Sequence, residues 1–299
     1  MVTLGLDLGG TKILAAVVED GKVLDSVRVN TPQTGFADVV AALVGTSREL
    51  LGRGHTVTGV GIGSPGPLDK ARREILFAPN IAGMHNAPLV AELERALELP
   101  VVLENDANAA GYAEHRYGAA RGFVSSIYVT ISTGIGGGIF IGDQVVRGAN
   151  SLAGEIGHMT MLLGGPMGGD GHTGSLEAIA AGRSMARDAS YAYGVEMDTR
   201  ELFRRARLGE MKALGIVENG ALFVGVGLAN LVKIIDPESF VIGGGIAEAG
   251  EYYLSKVRGA AEHYLEGYPV PHFRVAELGA EAGVIGAAAV AALELGARA

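Results

Sequence analysis

Short apolar runs divided by glycine-rich turns open the chain: Val2 to Leu8, Ile13 to Val18 and Val23 to Val29 are separated by Gly9-Gly10-Thr11-Lys12 and by Asp20-Gly21. Runs of this length with hairpin punctuation predict three strands. Phe36, Val39, Val40, Leu43, Val44, Leu50 and Leu51 then recur at helical spacing, and Val57 to Ile62 returns to the sheet, so the opening reads β-β-β-α-β. The polar, proline-containing stretch from Ser64 to Pro88 reads mostly as loop. A helix over Leu89 to Leu99, a strand over Val101 to Leu103 and a helix over Ala107 to Tyr117 follow. Beyond them, Ser175 to Arg187, Thr199 to Arg207 and Lys212 to Ile235 read as helices, and Phe240 to Ile242 as a buried strand running into Gly243-Gly244-Gly245. The last helix, Ala282 to Leu295, is nearly all Ala, Val, Leu and Gly. So apolar a helix must be covered on most sides, and it is expected to pack back on the first domain.

Ile127 to Val146 echoes Leu4 to Val23 at an offset of about 123 residues. Both read strand, small-residue turn, strand, turn, strand; the first turn is Gly9-Gly10-Thr11 in one copy and Ser132-Thr133-Gly134 in the other, with Asp20 and Asp143 at equivalent hairpin positions. Two similar halves are implied. A cleft between them would turn the two small-residue turns toward each other, a place to hold nucleotide phosphates from both sides.

Composition narrows the chemistry. The chain has 299 residues, 47 of them Gly, no Cys and no Trp, with 24 Lys and Arg against 33 Asp and Glu for a net charge of -9. The length suits two domains or one large α/β unit. Lack of cysteine removes disulfides, thiolate metal sites and cysteine nucleophiles. The acidic balance argues against a nucleic-acid surface, and implies that a polyanionic ligand is held by backbone amides or a metal ion. There is no basic lead at the N-terminus, and the apolar run Gly220 to Val232 falls short of the roughly 18 to 20 residues that span a bilayer. A cytoplasmic protein with no membrane partner is expected.

Asp7-Leu8-Gly9-Gly10-Thr11-Lys12 follows a strand, where glycines let backbone amides approach an anion and Thr11 and Lys12 add donors. It is no Walker A loop, because Ile13 to Val18 continues as a strand rather than a helix. Gly61-Ile62-Gly63-Ser64-Pro65-Gly66 has dinucleotide-fingerprint spacing, yet Pro65 and Pro67 stop the helix that would hold a pyrophosphate, so a rigid turn is expected, lining a pocket or purely structural. Glu104-Asn105-Asp106 stands at a strand end and opens a helix, where an aspartate is kept ionised by the helix dipole and suits a general base, or simply caps the helix. Gly154-Glu155-Ile156-Gly157-His158 and Glu177 supply carboxylates and an imidazole of the kind a polyhydroxyl ligand needs, although such groups also serve as surface charges.

In this order and over essentially the whole chain, these segments resemble the ROK family (repressors, open reading frames and sugar kinases), in particular its bacterial glucokinases. The resemblance implies an actin-like, hexokinase-type α/β fold with two α/β domains and an interdomain cleft: residues 1–107 as the smaller domain, with 283–299 packing back on it, and 108–282 as the larger. It implies ATP- and magnesium-dependent phosphorylation of the primary hydroxyl of a hexose, foremost glucose. Asp106 would be the catalytic base. Gly66, Asn80, Asn105, Asp106, Glu155, His158 and Glu177 would bind the sugar. Gly9, Gly10, Thr11, Lys12, Thr133, Gly134, Gly243, Gly244 and Gly245 would border ATP, and Asp7 would hold Mg2+, through water. A homodimer or higher homo-oligomer is expected, a dimer being usual for the family.

One departure matters. The family commonly holds a zinc between that histidine and three cysteines, whose positions are occupied here by Gly168, Asp170 and Ser175. His158, Asp170 and His172 make a poor structural zinc set, so no structural zinc is expected. Another hexose or an N-acetylhexosamine as acceptor, polyphosphate as donor, or a non-catalytic sugar-responsive regulator are the alternatives. The last is disfavoured because the first phosphate motif begins at Asp7, leaving no room ahead of it for a helix-turn-helix.

Overall fold

The computed structural model describes residues 1–169 and 171–297. Strands β1 (Val2–Leu8), β2 (Lys12–Glu19) and β3 (Lys22–Asn30) lead into α1 (Phe36–Gly52) and β4 (Val60–Ser64), as the opening pattern predicts. The stretch read as loop contains a small antiparallel pair, β5 (Ile75–Phe77) and β6 (His85–Ala87), before α2 (Leu89–Leu97), β7 (Val101–Asn105) and α3 (Asp106–Arg116). Then come β8 (Ser125–Ile131), β9 (Ile135–Ile141) and β10 (Gln144–Val145), followed by α4 (Leu176–Ala180), α5 (Gly182–Tyr193), α6 (Thr199–Arg207) and α7 (Met211–Ile235). The chain closes with β11 (Ser239–Gly243), α8 (Glu251–Tyr264), β12 (His272–Val275) and α9 (Ala282–Gly296).

Two compact units are formed, one from residues 1–122, 138–154 and 278–299, the other from 123–137 and 155–277. The cut at 107/108 drawn from sequence therefore falls inside α3, which belongs wholly to the first unit. One five-stranded sheet has the order β3-β2-β1-β4-β7 and a second the order β10-β9-β8-β11-β12. In the first, β1–β2 and β2–β3 are antiparallel while β1–β4 and β4–β7 are parallel; in the second, β8–β11 and β11–β12 are parallel. The internal echo is thus a repeat of topology, and displacing β1 by the offset of about 123 residues lands it on β8. The mixed α/β architecture is of the actin-like, hexokinase type.

In the first unit the period-2 alternation of β2 decides the layering. Ile13, Ala15 and Val17 join a core with Leu4, Leu6, Leu43 and Leu93, toward α1 and α2. Leu14, Ala16 and Val18 face the other way, onto Ala113 of α3 and Val284, Ile285 and Ala288 of α9. There α9 approaches backbone to backbone. A Cβ on Gly61 would stand 1.8 Å from the Ala287 carbonyl oxygen, and one on Gly286 1.7 Å from that of Ala109. Gly61 of the false dinucleotide fingerprint is therefore a packing residue.

In the second unit α7 is the central helix, packed by α4, α5, α6 and α8. Its bounds follow the pattern read over Lys212 to Ile235, with the apolar run Gly220 to Val232 inside it and Lys212, Glu218 and Lys233 outside that run. By length and composition alone α7 and the segment Gly279–Gly296 could cross a membrane, and 56% and 50% of their most apolar windows are buried inside the protein. The expectation of one helix over Ser175 to Arg187 is corrected to two. Ala181 is extended (ψ 155°), and the Gly182 N–H donates to the Ser132 carbonyl at 2.8 Å instead of continuing the α4 ladder.

Candidate functional site

The first unit gathers the chemistry of its motifs around the ends of β1 and β7. After β1, the Gly9 N–H donates to the Lys12 carbonyl (2.9 Å), and Thr31 and Gln33 side chains donate to the Gly9 and Gly10 carbonyls (2.6 and 2.9 Å). The carbonyls of the turn are thereby tied down. A Cβ on Gly10 would lie 2.9 Å from the Asn80 carbonyl oxygen, so the turn rests on the exposed Asn80 loop between β5 and β6. Gly66 has φ 94° and no room for a Cβ, which would stand 2.1 Å from the Phe77 carbonyl oxygen. Its glycine is required by backbone geometry.

At the end of β7, Asn105 is the N-cap of α3, its Oδ1 accepting from Ala107 N (2.9 Å) and Asn108 N (3.2 Å). Asp106 is the first helical residue, and its Oδ1 accepts from Ala107 N at 2.8 Å. The carboxylate therefore sits where the helix dipole favours negative charge. Burial first, and the Asp106 charge second, push Asp7 up to about 6, which leaves it mostly ionised at neutral pH. The Asp7 carboxylate fills the space that a Cβ on Gly283 of α9 would occupy, 2.8 Å away.

The second unit brings together the turn Ser132–Gly134, Glu177, Glu155 and His158. Glu177 Oε2 accepts from Ile135 N at 2.9 Å, and a Cβ on Gly134 would strike that oxygen at 2.4 Å. Glu177 thus braces the second turn, with its other oxygen, Oε1, 3.7 Å from Arg183 Nη2. A Cβ on Gly157 would lie 2.0 Å from the Ile135 carbonyl oxygen, which seats the Glu155–His158 segment on the same turn. Glu155 and His158 are half exposed and 3.2 Å apart, Oε2 to Nδ1. Gly244 (φ 79°) abuts the Ile131 carbonyl, so Gly243-Gly244-Gly245 adjoins Ser132.

Beside this turn lies a cavity of about 510 Å³, lined by Thr133, Gly182, Phe203, Gly245 and Ile246 together with Arg183, Arg200, Arg204 and Arg207. Arg200, Arg204 and Arg207 are spaced i, i+4, i+7 on α6, a signal visible as one helical face, whereas Arg183 joins them only through the fold. An anionic ligand of the second unit is consequently not restricted to backbone donors.

Of the positions where the family commonly has zinc-binding cysteines, Gly168 and Ser175 serve the local backbone. Ser175 Oγ caps α4 by accepting from Ala178 N (3.2 Å), and the loop ahead of it is a hairpin held by Gly168 N donating to the His172 carbonyl (2.7 Å) and Gly174 N to the Pro166 carbonyl (2.8 Å). Asp170 lies outside the described residues. Among those described, no group of three His, Cys, Asp or Glu could hold a metal ion. Activity is expected to survive a zinc-selective chelator with magnesium present. One zinc per chain by elemental analysis, with activity lost on its removal and restored on its return, is the contrary result.

A model of the ROK family matches residues 3–294. The chain belongs to the ROK family. A ROK hexokinase from Thermus thermophilus superposes with a TM-score of 0.93 at 48% identity, covering 99% of this chain and 100% of that one. A ROK glucokinase from Streptomyces griseus, solved with glucose and AMPPNP, gives 0.83 at 36% identity over 97% and 99% of the two chains. An N-acetylmannosamine kinase from Haemophilus influenzae is 33% identical over 96% of this chain and 94% of its own.

Proposed function

We propose that this ROK protein is a sugar kinase that transfers the terminal phosphoryl group of ATP to the primary hydroxyl of a hexose, with glucose its best acceptor. The observation that carries the reading is the pair of neighbouring carboxylates, Asp106 at the N-terminus of α3 and Asp7 at the end of β1, in a ROK chain. Asp106 accepts the hydroxyl proton as that oxygen forms its bond to the terminal phosphorus and the bond to the ADP oxygen breaks. Such a transition state is loose, so positioning and charge stabilisation contribute more than the base.

The sugar-binding residues of this reading are Asn80, Asn105 and Asp106 in the first unit, where Gly66 sets the turn against Phe77, and Glu155, His158 and Glu177 in the second. In the second unit the cavity beside Thr133, Gly134 and Gly243 to Gly245 receives the nucleotide; in the first, Gly9, Gly10, Thr11 and Lys12 are the phosphate-binding residues of this reading. Asp7 suits a Mg2+ bound through water, because that ion keeps most of its waters and takes its other ligands from phosphates. When bound, magnesium neutralises charge on the phosphates.

The test is catalytic efficiency across glucose, mannose, fructose, N-acetylglucosamine and N-acetylmannosamine at saturating ATP and magnesium. Glucose is expected to lead, because an epimer leaves a buried polar partner unpaired at a cost of about 1 to 3 kcal/mol, or roughly 5- to 150-fold in affinity. Glu155→Gln should weaken the glucose response. Another sugar ahead of glucose by about tenfold, a single 1.4 kcal/mol step, rejects the substrate assignment, and an unchanged Glu155→Gln rejects that residue. The likeness to an N-acetylmannosamine kinase makes that sugar the main competitor.

A further inference from the structure

Directly before Asn105 and Asp106, Glu104 is 2% exposed and carries a charge that the mechanism does not use. Four donors converge on its carboxylate. Oε2 accepts from Arg72 Nη1 (3.2 Å) and Arg147 Nε (2.7 Å), while Oε1 accepts from the Asn105 N–H and from Asn108 Nδ2, each at 3.0 Å. The two arginines also reach the same second carboxylate, Glu294 of α9, at 2.8 Å each. Two glutamates and two arginines thus close a neutral ring around the β7–α3 junction, all within the first unit.

The ring is built at some cost. Arg72 holds a left-handed backbone (φ 53°), in a turn that Asp69 organises by accepting from the N–H groups of Ala71, Arg73 and Glu74. Arg147 follows β10, far away in sequence. Buried ion networks of this kind stabilise little more than a well-packed apolar set would, so what this one adds is fixed geometry. Its two bonds to Asn105 N and Asn108 Nδ2 grip the cap and first turn of α3 on either side of Asp106.

We propose that Glu104, clamped by Arg72 and Arg147 and tied through them to Glu294, is the positioning residue for Asp106 in phosphoryl transfer; this rests on Asp106 being the base. A carboxylate displaced by a fraction of an ångström no longer meets the attacking hydroxyl in line, while the sugar, held by several other groups, still binds.

The experiment is a double-mutant cycle on the full chain with glucose, ATP and magnesium, combining Arg147→Ala with Asp106→Asn. Arg147→Ala alone is expected to lower kcat about 10- to 100-fold, as small misplacements do, with glucose KM changed less than about threefold. Arg147→Lys, which keeps the charge without the fork, should recover part of the loss. In the Asp106→Asn background Arg147→Ala should change the residual rate by no more than about twofold, because the group it positions is already disabled. Where Arg147→Ala fails to fold, Glu294→Gln replaces it in the same cycle. Equal losses in both backgrounds, or wild-type kcat in the folded variant, overturn the inference while Asp106 stands. An Asp106→Asn enzyme with wild-type turnover sinks the reading of the base and the positioning role with it.

Discussion

Asp106→Asn is expected to bind glucose nearly as the wild type does and to lose about 10²- to 10⁴-fold in kcat, the range of a general base. The amide preserves shape, and its oxygen can still accept from the Ala107 N–H that now meets Asp106 Oδ1 at 2.8 Å. What disappears is the lone pair that takes the hydroxyl proton. Coupled ADP release gives kcat, and titration calorimetry with glucose gives binding. Loss of both together would point to a collapsed first turn of α3 rather than to a missing base, and retained turnover would remove Asp106 from the chemistry.

Gly286→Ala should be severely destabilising, at a cost of about 3 kcal/mol or more, because the new methyl carbon would sit 1.7 Å from the Ala109 carbonyl oxygen. Relief requires α9 and α3 to separate. That movement would also disturb Asp7, whose carboxylate lies against Gly283 on the same helix. Gly45→Ala is the matching control. It lies in α1 with nothing within 4 Å of the added carbon, and should stabilise by about 0.5 to 1 kcal/mol through helix propensity. Thermal and urea unfolding of the two variants beside the wild type decide the matter, and equal stability of Gly286→Ala and wild type contradicts the close approach of the helices.

Much of the fold was legible because its signals are local. The apolar run Ile13 to Val18, the turns at Gly9-Gly10-Thr11 and Asp20-Gly21, and their echo about 123 residues later depend only on neighbouring residues, and they reappear as two sheets of matching strand order. The apolar character of Ala282 to Leu295 likewise announced a covered helix. At the site, the position of Asn105 and Asp106 at a strand-to-helix junction was readable for the same reason.

The rest depended on partners distant in the chain. Gly182 is a weak local sign of a helix break at Ala181; the Ser132 carbonyl, about fifty residues away, takes the Gly182 N–H and decides it. Glu177 reads as one more carboxylate until its hydrogen bond to Ile135 N joins it to the second turn. Gly61 reads as part of a rigid turn, lining a pocket or purely structural, until α9 is laid across it. Arg72, Arg147 and Glu294 are three unremarkable charges in sequence, and become one ring only when β7, the Asp69 turn and α9 converge on Glu104. Local patterning determined which segments are strands, turns and helices, while burial and long-range hydrogen bonding, which have no period in the sequence, decided which side chains share a site.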